Sequence, residues 1–450
     1  MQEKRPLRIH FMGIGGSGMS AVAQIAHARG YIVTGCDLQT DTPYIEKVKK
    51  LGITVSMGHN SGHLKDIDIL AVTPAVFYQN DDHPETALGR EKSILMKWQE
   101  FMGKYLHKNK FVICIAGTHG KSTTTALAGI LLETAGLDPT VEVGATVLVW
   151  HNNFRLGKSD YFISEADEFH ENFASYRPDI IILNNIEMDH PEFFTSEENL
   201  LDTYQNFINS LKPGGHIIVN RDSPLITQLR LPPATHYYSL KDTNNIEPTP
   251  DSTSFEYHRH KYSLKIPGRH NISNALGIIK LAEILNINHS DLNSTLKQFS
   301  GIGRRLELIG EKNGVKIYDD YANHPTAFAA TINGVKQLHP QDQVIAVIEP
   351  HTFTRLRTLL PQLPESLRAA DKVIISKIFA SRETDPGDFS GADITAASKH
   401  DNCRYIPEFN DIILYLRSLS EARISLSNTV ILVMGSGLSH KLSRQIFESL

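Results

Sequence analysis

Gly117-Thr118-His119-Gly120-Lys121-Ser122 stands between an apolar, β-branched run, Phe111–Ala116, and a stretch with helical character, Ser122–Ala135. Glycines at such a junction let successive backbone N–H groups turn toward one anion, and the start of a helix adds a favourable dipole. A lysine there reaches the terminal phosphates of a nucleotide, and a serine hydroxyl can ligate Mg²⁺. The common phosphate loop has a glycine five residues before its second glycine. That position here is Ile115, so the loop is a shortened variant.

Two further groups of reactive side chains follow strand-like runs. Glu165-Ala166-Asp167-Glu168 follows Tyr161–Ser164, and Asn184-Asn185-Ile186-Glu187-Met188-Asp189-His190 follows Ile180–Leu183. Ligands of open parallel sheets gather at the carboxyl ends of the strands. Three strand ends are therefore expected to bring Ser122, Glu165 and His190 near one phosphate site. A hydroxyl, a carboxylate and an imidazole can hold one or two Mg²⁺ ions, with phosphate and water completing the shell. Taken singly, an acidic cluster is usually a solvated loop and an Asp-His pair is mostly structural. Their shared placement after strands favours the functional reading.

A second glycine pattern, Gly13-Ile14-Gly15-Gly16-Ser17-Gly18, follows the strand-like Leu7–Met12, and Asp37 comes about twenty residues later. This is a dinucleotide fingerprint, and equally the pattern of a generic pyrophosphate binder such as a site for a nucleotide-sugar diphosphate. The glycines leave both open. The separate Gly-Lys-Ser loop argues against a dehydrogenase, which has no need of one.

The elements that must carry these groups alternate. A helix is expected from about Met19 to Arg29, a strand over Tyr31–Thr34 and another over Ile69–Val72. The same alternation continues through His216–Val219. A third unit begins around Gly303, with strands Val315–Tyr318, Val344–Ile348, Lys372–Ser376 and Val430–Met434. The class is α/β, with mainly parallel sheets and flanking helices. Trp98–Lys110 reads as a polar linker, and Asp242–Ser263 as loops with an edge hairpin.

With 450 residues the chain exceeds one compact core. A formal net charge of −5 gives no sign of a nucleic-acid surface. The three cysteines, Cys36, Cys114 and Cys403, lie far apart, which points to a reducing compartment rather than a disulfide framework. No stretch approaches about 18 uncharged apolar residues, and the start shows no secretory pattern. A cytoplasmic protein without membrane or nucleic-acid partners is expected.

Seven segments in one order, HFMGIGGSGMS, AGTHGKSTTT, SEADEF, NNIEMDHP, PGRHNISNALG, GRRLELIGEKNGVKIYDDYANHPT and EPHTFTR, resemble the Mur ligases over nearly the whole chain. The resemblance implies three domains: a Rossmann-like domain binding a UDP-linked substrate (1–105), a central P-loop ATPase domain (106–303) and a Rossmann-like C-terminal ligase domain (304–450). It implies ATP and Mg²⁺ as cofactors. The implied activity joins L-alanine to the carboxylate of UDP-N-acetylmuramate through an acyl phosphate, a step of peptidoglycan precursor synthesis. Ligation of a recycled murein tripeptide to the same UDP-sugar is the alternative. The implied assembly is a monomer or weak homodimer.

Residue by residue, the resemblance assigns Gly15, Gly16, Ser17, Gly18, Asp37 and Thr73 to the UDP substrate. It assigns Gly117, Thr118, His119, Gly120, Lys121, Ser122 and Thr123 to ATP, with Asn271 and Asn274 approaching base and ribose and Arg305 and Asp320 closing from the C-terminal side. Metal ligands are Ser122, Glu165 and His190. Lys121, His190, His351 and Arg355 are the catalytic group, with His351 and Arg355 facing the muramate and the amine. Read without the resemblance, Asn271 and Asn274 suit a helix start, and Arg305 a solvated pair with Arg304. The chain departs from the family pattern twice. Asn323-His324 stands where two histidines are common, and Ser122 replaces a threonine but keeps the hydroxyl.

Overall fold

The computed structural model describes residues 5–39, 41–79, 82–249, 252–381, 383–421 and 428–450, which fall into two compact units. The first comprises 1–186, 198–238 and 277–291; the second comprises 187–197, 239–276 and 292–450.

The first unit carries two sheets. Strands β1 (Arg8–Met12), β2 (Ile32–Asp37), β3 (Thr54–Met57), β4 (Ile69–Val72) and β5 (Leu95–Lys97) form a parallel sheet in the order β3-β2-β1-β4-β5. Its glycine-rich turn feeds the helix Ser17–Ala28. The second sheet holds β6 (Phe111–Ala116), β7 (Thr140–Val147), β8 (Asn152–Arg155), β9 (Tyr161–Glu165), β10 (Ile180–Leu183), β11 (His216–Asn220) and β12 (Thr235–Tyr238) in the order β12-β11-β10-β6-β9-β7-β8. Only the β7–β8 pairing in it is antiparallel. Strands β6 and β10 are buried almost end to end, as parallel strands covered on both faces must be, and so read as unbroken apolar runs.

Register fixes what each strand delivers. Central β6 pairs with β9 on one side, Ile115 opposite Glu165, and with β10 on the other, Ala116 opposite Leu183. The phosphate loop, the acidic cluster and the asparagine pair therefore leave the sheet at the same level.

The second unit holds β13 (Thr243–Pro248), β14 (Thr253–Tyr257) and β15 (His260–Leu264), a three-stranded antiparallel sheet. This corrects the loop-and-hairpin reading of Asp242–Ser263. Thr253, Phe255 and Tyr257 alternate with polar residues and are buried, so the polar half of the pattern is the outer face of a strand. The unit also holds β16 (Glu307–Lys312), β17 (Val315–Asp320), β18 (Gln343–Ile348), β19 (Lys372–Ile375), β20 (Cys403–Tyr405) and β21 (Thr429–Met434), ordered β16-β17-β21-β18-β19-β20. All pairings there are parallel except β16–β17. Phe328, Ile332 and Leu363 cover one face and Ile412, Leu416 and Ile446 the other.

The proposed polar linker also needs correction. Trp98–Phe101 is helical and Met102–Leu106 continues it as a π turn, with Phe101, Met102 and Leu106 fully buried. Gly103 sits so close to Ser175 that a Cβ would lie 2.6 Å from its carbonyl oxygen. Lys104 lies on this packed helical turn, and Lys108 and Lys110 follow it in the turn leading to β6.

Candidate active site

Two glycines shape the phosphate loop. Gly117 has φ +132°, and a Cβ there would fall 2.8 Å from the Asn185 carbonyl oxygen. Gly120, at φ +81°, caps the helix Lys121–Thr134 in the left-handed region that glycine enters without strain. The loop is braced from the end of β10. Thr118 N–H donates to the Asn185 carbonyl (3.1 Å), His119 N–H to Asn185 Oδ1 (2.8 Å), and Asn185 Nδ2 donates back to the His119 carbonyl (3.1 Å). Asn184 Nδ2 donates to Thr124 Oγ1 at 3.0 Å. The amides of Lys121, Ser122 and Thr123 open the helix, where N–H groups have no intrahelical acceptor.

Lys121 donates to the Gly117 carbonyl (2.7 Å) and to Glu168 Oε2 (2.9 Å), with Asp167 3.8 Å away. Burial alone would lower the ammonium, but Glu168 and Asp167 outweigh it and hold Lys121 well above its ordinary range. The Ser122 hydroxyl donates to Glu165 Oε1 at 3.0 Å, and Glu165 Oε2 accepts from Gly144 N–H at 2.8 Å. Behind it Glu142 is buried and accepts from Glu165 N–H at 3.2 Å. Burial, reinforced by Glu165, pushes Glu142 well above the carboxylate range, favouring its neutral form.

In the N-terminal sheet, Asp37 Oδ2 accepts from Gly15 N–H at 2.8 Å and Asp37 Oδ1 from Gln39 N–H at 3.2 Å. Asp37 thus holds the glycine turn itself. Gly16 caps the helix Ser17–Ala28, and Ser17 and Gly18 form its first turn. A Cβ on Gly18 would lie 2.8 Å from the Trp98 ring, and one on Gly13 2.5 Å from Thr73 Cγ2, so side chains crowd this turn from both flanks.

The remaining expected residues lie in the second unit. His190, at φ +54°, pairs through Nδ1 with Glu192 at 3.0 Å. Arg355 is almost fully buried, with Nε 2.8 Å from Asp189 Oδ1 and Nη2 3.4 Å from His190 Nε2. Its guanidinium is engaged with the Asp189-His190 loop and fixes it. His351 stands at the mouth of β18, bridged to Phe379, and Thr352 Oγ1 donates to its carbonyl at 2.8 Å. Asn271 Nδ2 donates to the Pro267 carbonyl (2.6 Å), and Asn274 Nδ2 to Asn271 Oδ1 (3.2 Å). Arg305 is exposed, its guanidinium 5.3 Å from the Tyr321 ring centroid. Asp320 is buried and accepts from Leu306 and Ala322 N–H, both at 2.8 Å, which pins the turn that presents Arg305. Asn323 Nδ2 donates to Ser436 Oγ at 3.1 Å. The structure therefore brings Ser122 and Glu165 together with Lys121, while His190, Arg355, Arg305 and Asp320 belong to the other unit.

Profiles for three domains match the chain in order: "Mur ligase family, catalytic domain" over 8–109, "Mur ligase middle domain" over 115–282 and "Mur ligase, glutamate ligase domain" over 304–437. The UDP-N-acetylmuramate–L-alanine ligase of Clostridium acetobutylicum is 34% identical over 91% of this chain and 92% of its own length. The chain belongs to the Mur ligase family. The same-named protein of Caldanaerobacter subterraneus is 33% identical over 98% of this Mur ligase and 97% of its own length. Among solved structures, the UDP-N-acetylmuramate–alanine ligase of Thermotoga maritima shares the fold at a TM-score of 0.81, 24% identity and 98% coverage of both chains. A murein peptide ligase of Psychrobacter arcticus superposes at 0.70, with 23% identity and 98% coverage of both.

Four candidate groups in this Mur ligase, three in the first unit and one in the second, escaped the sequence reading. Glu168 and Asn185 lie inside motifs already singled out, where charge and spacing alone could not say which member faces the loop. Asp189 pairs with Arg355, far along the chain, which its neighbours in sequence do not show. Glu142 carries no sequence signal, since one acid in Thr140–Val147 reads as an outward residue. As it stands, the arrangement can bind a polyphosphate on helix amides and Lys121. It can also offer hard oxygen ligands from Ser122 and Glu165 to a divalent cation.

Proposed function

We propose that this Mur ligase joins L-alanine to the carboxylate of UDP-N-acetylmuramate, using ATP and Mg²⁺. The observation that carries the reading is the set Lys121, Ser122 and Glu165 at adjoining strand ends, with Ser122 3.0 Å from Glu165. Relatives bearing that substrate name over nearly the full length support the choice of substrates. The domains divide near residues 105 and 303. The enzyme works in the cytoplasm as a monomer or weak homodimer.

A carboxylate does not react with an amine at neutral pH, because its oxygen is a poor leaving group. Transfer of the ATP γ-phosphoryl to it gives an acyl phosphate and ADP. The amine then attacks the carbonyl carbon, phosphate leaves with the bonding pair, and the new amide sheds a proton. The oxygen ligand set of Ser122 and Glu165 suits Mg²⁺, which when bound withdraws charge from the transferring phosphoryl.

The protein's own groups do the rest. Lys121 exchanges Glu168 for the phosphates, adding positive charge where negative charge builds. The first amides of the helix Lys121–Thr134 hold the phosphate oxygens. Burial of Glu142 opposes a second negative charge beneath Glu165. Asp37 presets the turn for the UDP pyrophosphate, and Arg355 fixes the loop carrying His190. Asp320 holds Arg305 for ATP, and Asn271 and Asn274 serve base and ribose.

The test is ADP release by the purified enzyme with UDP-N-acetylmuramate and a panel of amines. L-alanine should give the highest kcat/KM. A pocket built for one methyl group discriminates by only about 10–200-fold per added methylene, so glycine and serine should leak through. ADP release with murein tripeptide and none with L-alanine would replace this reading by the recycling one.

A further inference from the structure

The N-terminal sheet contains a second group of ligand-type side chains that nucleotide chemistry does not use. His10 lies on β1, Cys36 on β2, His63 on the turn Ser61–Leu64 and Glu85 in the first turn of the helix Pro84–Glu91. One donor atom from each lies within 4.8 Å of all the others. His10, Cys36 and Glu85 are buried, and the His63 side chain is 19% exposed, leaving one route to solvent.

The separations have a particular size. Glu85 Oε1 is 3.2 Å from His10 Nε2 and 3.3 Å from His63 Nδ1, and the Glu85 carboxylate is 3.7 Å from Cys36 Sγ. A tetrahedral ion with Zn–N and Zn–O near 2.1 Å and Zn–S near 2.3 Å sets its ligands roughly 3.3–3.7 Å apart. Three edges of that tetrahedron are already made. Those that remain span at most 4.8 Å and need contraction by up to about 1.5 Å, shared between the short turn carrying His63 and the side-chain torsions of His10 and Cys36.

The outer contacts are those of a ligand set. His10 Nδ1 is 2.8 Å from Thr34 Oγ1, which directs Nε2 to the centre of the cluster. The second oxygen of Glu85 accepts from Asn60 N–H at 2.9 Å, fixing the carboxylate plane. Such partners orient imidazole and carboxylate ligands in metal sites. Charge also balances: one thiolate and one carboxylate cancel a divalent cation, with two neutral imidazoles completing the shell, so burial leaves no uncompensated charge.

We propose that His10, Cys36, His63 and Glu85 form a site for a borderline divalent transition-metal ion of the zinc class, separate from the Mg²⁺ and nucleotide site. Thiolate and imidazole ligands select such an ion over Mg²⁺. Binding releases the Cys36 thiol proton to solvent as the sulfur–metal bond forms, and no electron is transferred. The site clamps the 59–64 turn and the helix Pro84–Glu91 onto β1 and β2. It is tied to the glycine turn through Cys36, whose carbonyl accepts from Gly13 N–H (2.8 Å) and Ile14 N–H (3.1 Å).

The test is titration of chelator-treated, full-length enzyme with Co²⁺. The expected result is one equivalent bound, a thiolate-to-cobalt charge-transfer band, intense tetrahedral d–d bands, and displacement by Zn²⁺. Cys36→Ser should abolish the charge-transfer band, whereas Cys114→Ser should leave it. Because Cys36→Ser could fail to fold, His63→Gln at the partly exposed position is the second variant. It should weaken Zn²⁺ binding, measured by competition with a chromophoric chelator, by about tenfold or more. Absence of the charge-transfer band in the wild type, or its persistence in folded Cys36→Ser, overturns the proposal. So does unchanged Zn²⁺ affinity in His63→Gln. The cluster is then a hydrogen-bonded carboxylate–imidazole network only.

Discussion

Lys121→Ala should damage the fold as well as the chemistry, and the size of the damage should depend on pH. Lys121 sits 2.9 Å from Glu168, whose side chain is only 3% exposed. At that distance and an effective dielectric near 20 the attraction is about 6 kcal/mol. Removing the ammonium leaves a buried carboxylate without its counter-charge, a change that typically destabilises by about 3–5 kcal/mol. Protonation of Glu168 provides an escape. Holding a carboxyl protonated above its usual value near 4.3 costs about 1.4 kcal/mol per pH unit, which caps the penalty near 4 kcal/mol at pH 7 and near 1 kcal/mol at pH 5. The sign follows from linkage: the variant's folded-state pKa at Glu168 is raised, so its stability falls as pH rises. Urea unfolding of the wild type, Lys121→Ala and Lys121→Ala/Glu168→Gln at pH 5.5 and 7.5, with ADP release alongside, measures all of this. The double variant should recover about 2–3 kcal/mol at the higher pH while remaining inactive. A single variant within about 0.5 kcal/mol of wild type, or a penalty equal at both pH values, would refute the reasoning.

Gly117→Ala places a Cβ 2.8 Å from the Asn185 carbonyl; it should destabilise by about 1–3 kcal/mol and sharply weaken ADP binding by calorimetry. Glu165→Gln keeps an oxygen for Gly144 N–H but loses the charge, so the Mg²⁺ concentration for half-maximal ADP release should rise before UDP-substrate affinity changes. Arg355→Lys keeps a cation beside Asp189 but loses the fork that also reaches His190; kcat should fall about 10–100-fold with ADP affinity nearly unmoved, and an unchanged kcat would make this arginine purely structural. Asp319, 3.1 Å from Arg304, is pushed up to about 6 by burial against the pull of that arginine. Its folded pKa is raised, so the stability it contributes is complete below about pH 4 and lost as pH rises through 6. The stability of wild type relative to Asp319→Asn should fall across that interval in urea midpoints.

The parallel strands were legible because both faces are covered. Phe111–Ala116 and Ile69–Val72 are apolar throughout, and their limits read from sequence coincide with the observed ones. The motifs at the strand ends were legible because phosphate chemistry restricts residue type. What stayed hidden depends on partners distant in sequence. Trp98–Lys110 looked like a linker because its lysines are interleaved with the side chains that the rest of the unit buries, Gln99, Phe101, Met102 and Leu106. Strand Thr253–Tyr257 was masked by the polar residues of its open face. Asp37 and Asp320 read as ligand contacts, and nothing in the sequence signals that their carboxylates also accept from main-chain amides and hold turns. A carboxylate's role is set by which N–H groups converge on it, and that is a property of the folded backbone.

The ladder around β6 also bears on how the protein is made. Residue 115 finds residue 165 on one side, and residue 116 finds residue 183 on the other, so neither pairing forms within a local hairpin. Parallel pairings of such separation close late, because loop entropy must be lost before contacts repay it. A chain emerging from the ribosome carries its phosphate loop and helix long before the strand that braces them. Until β10 arrives, the glycines have no Asn185 to lie against. Recovery of ADP binding during refolding should therefore trail the helical signal and coincide with completion of the central sheet.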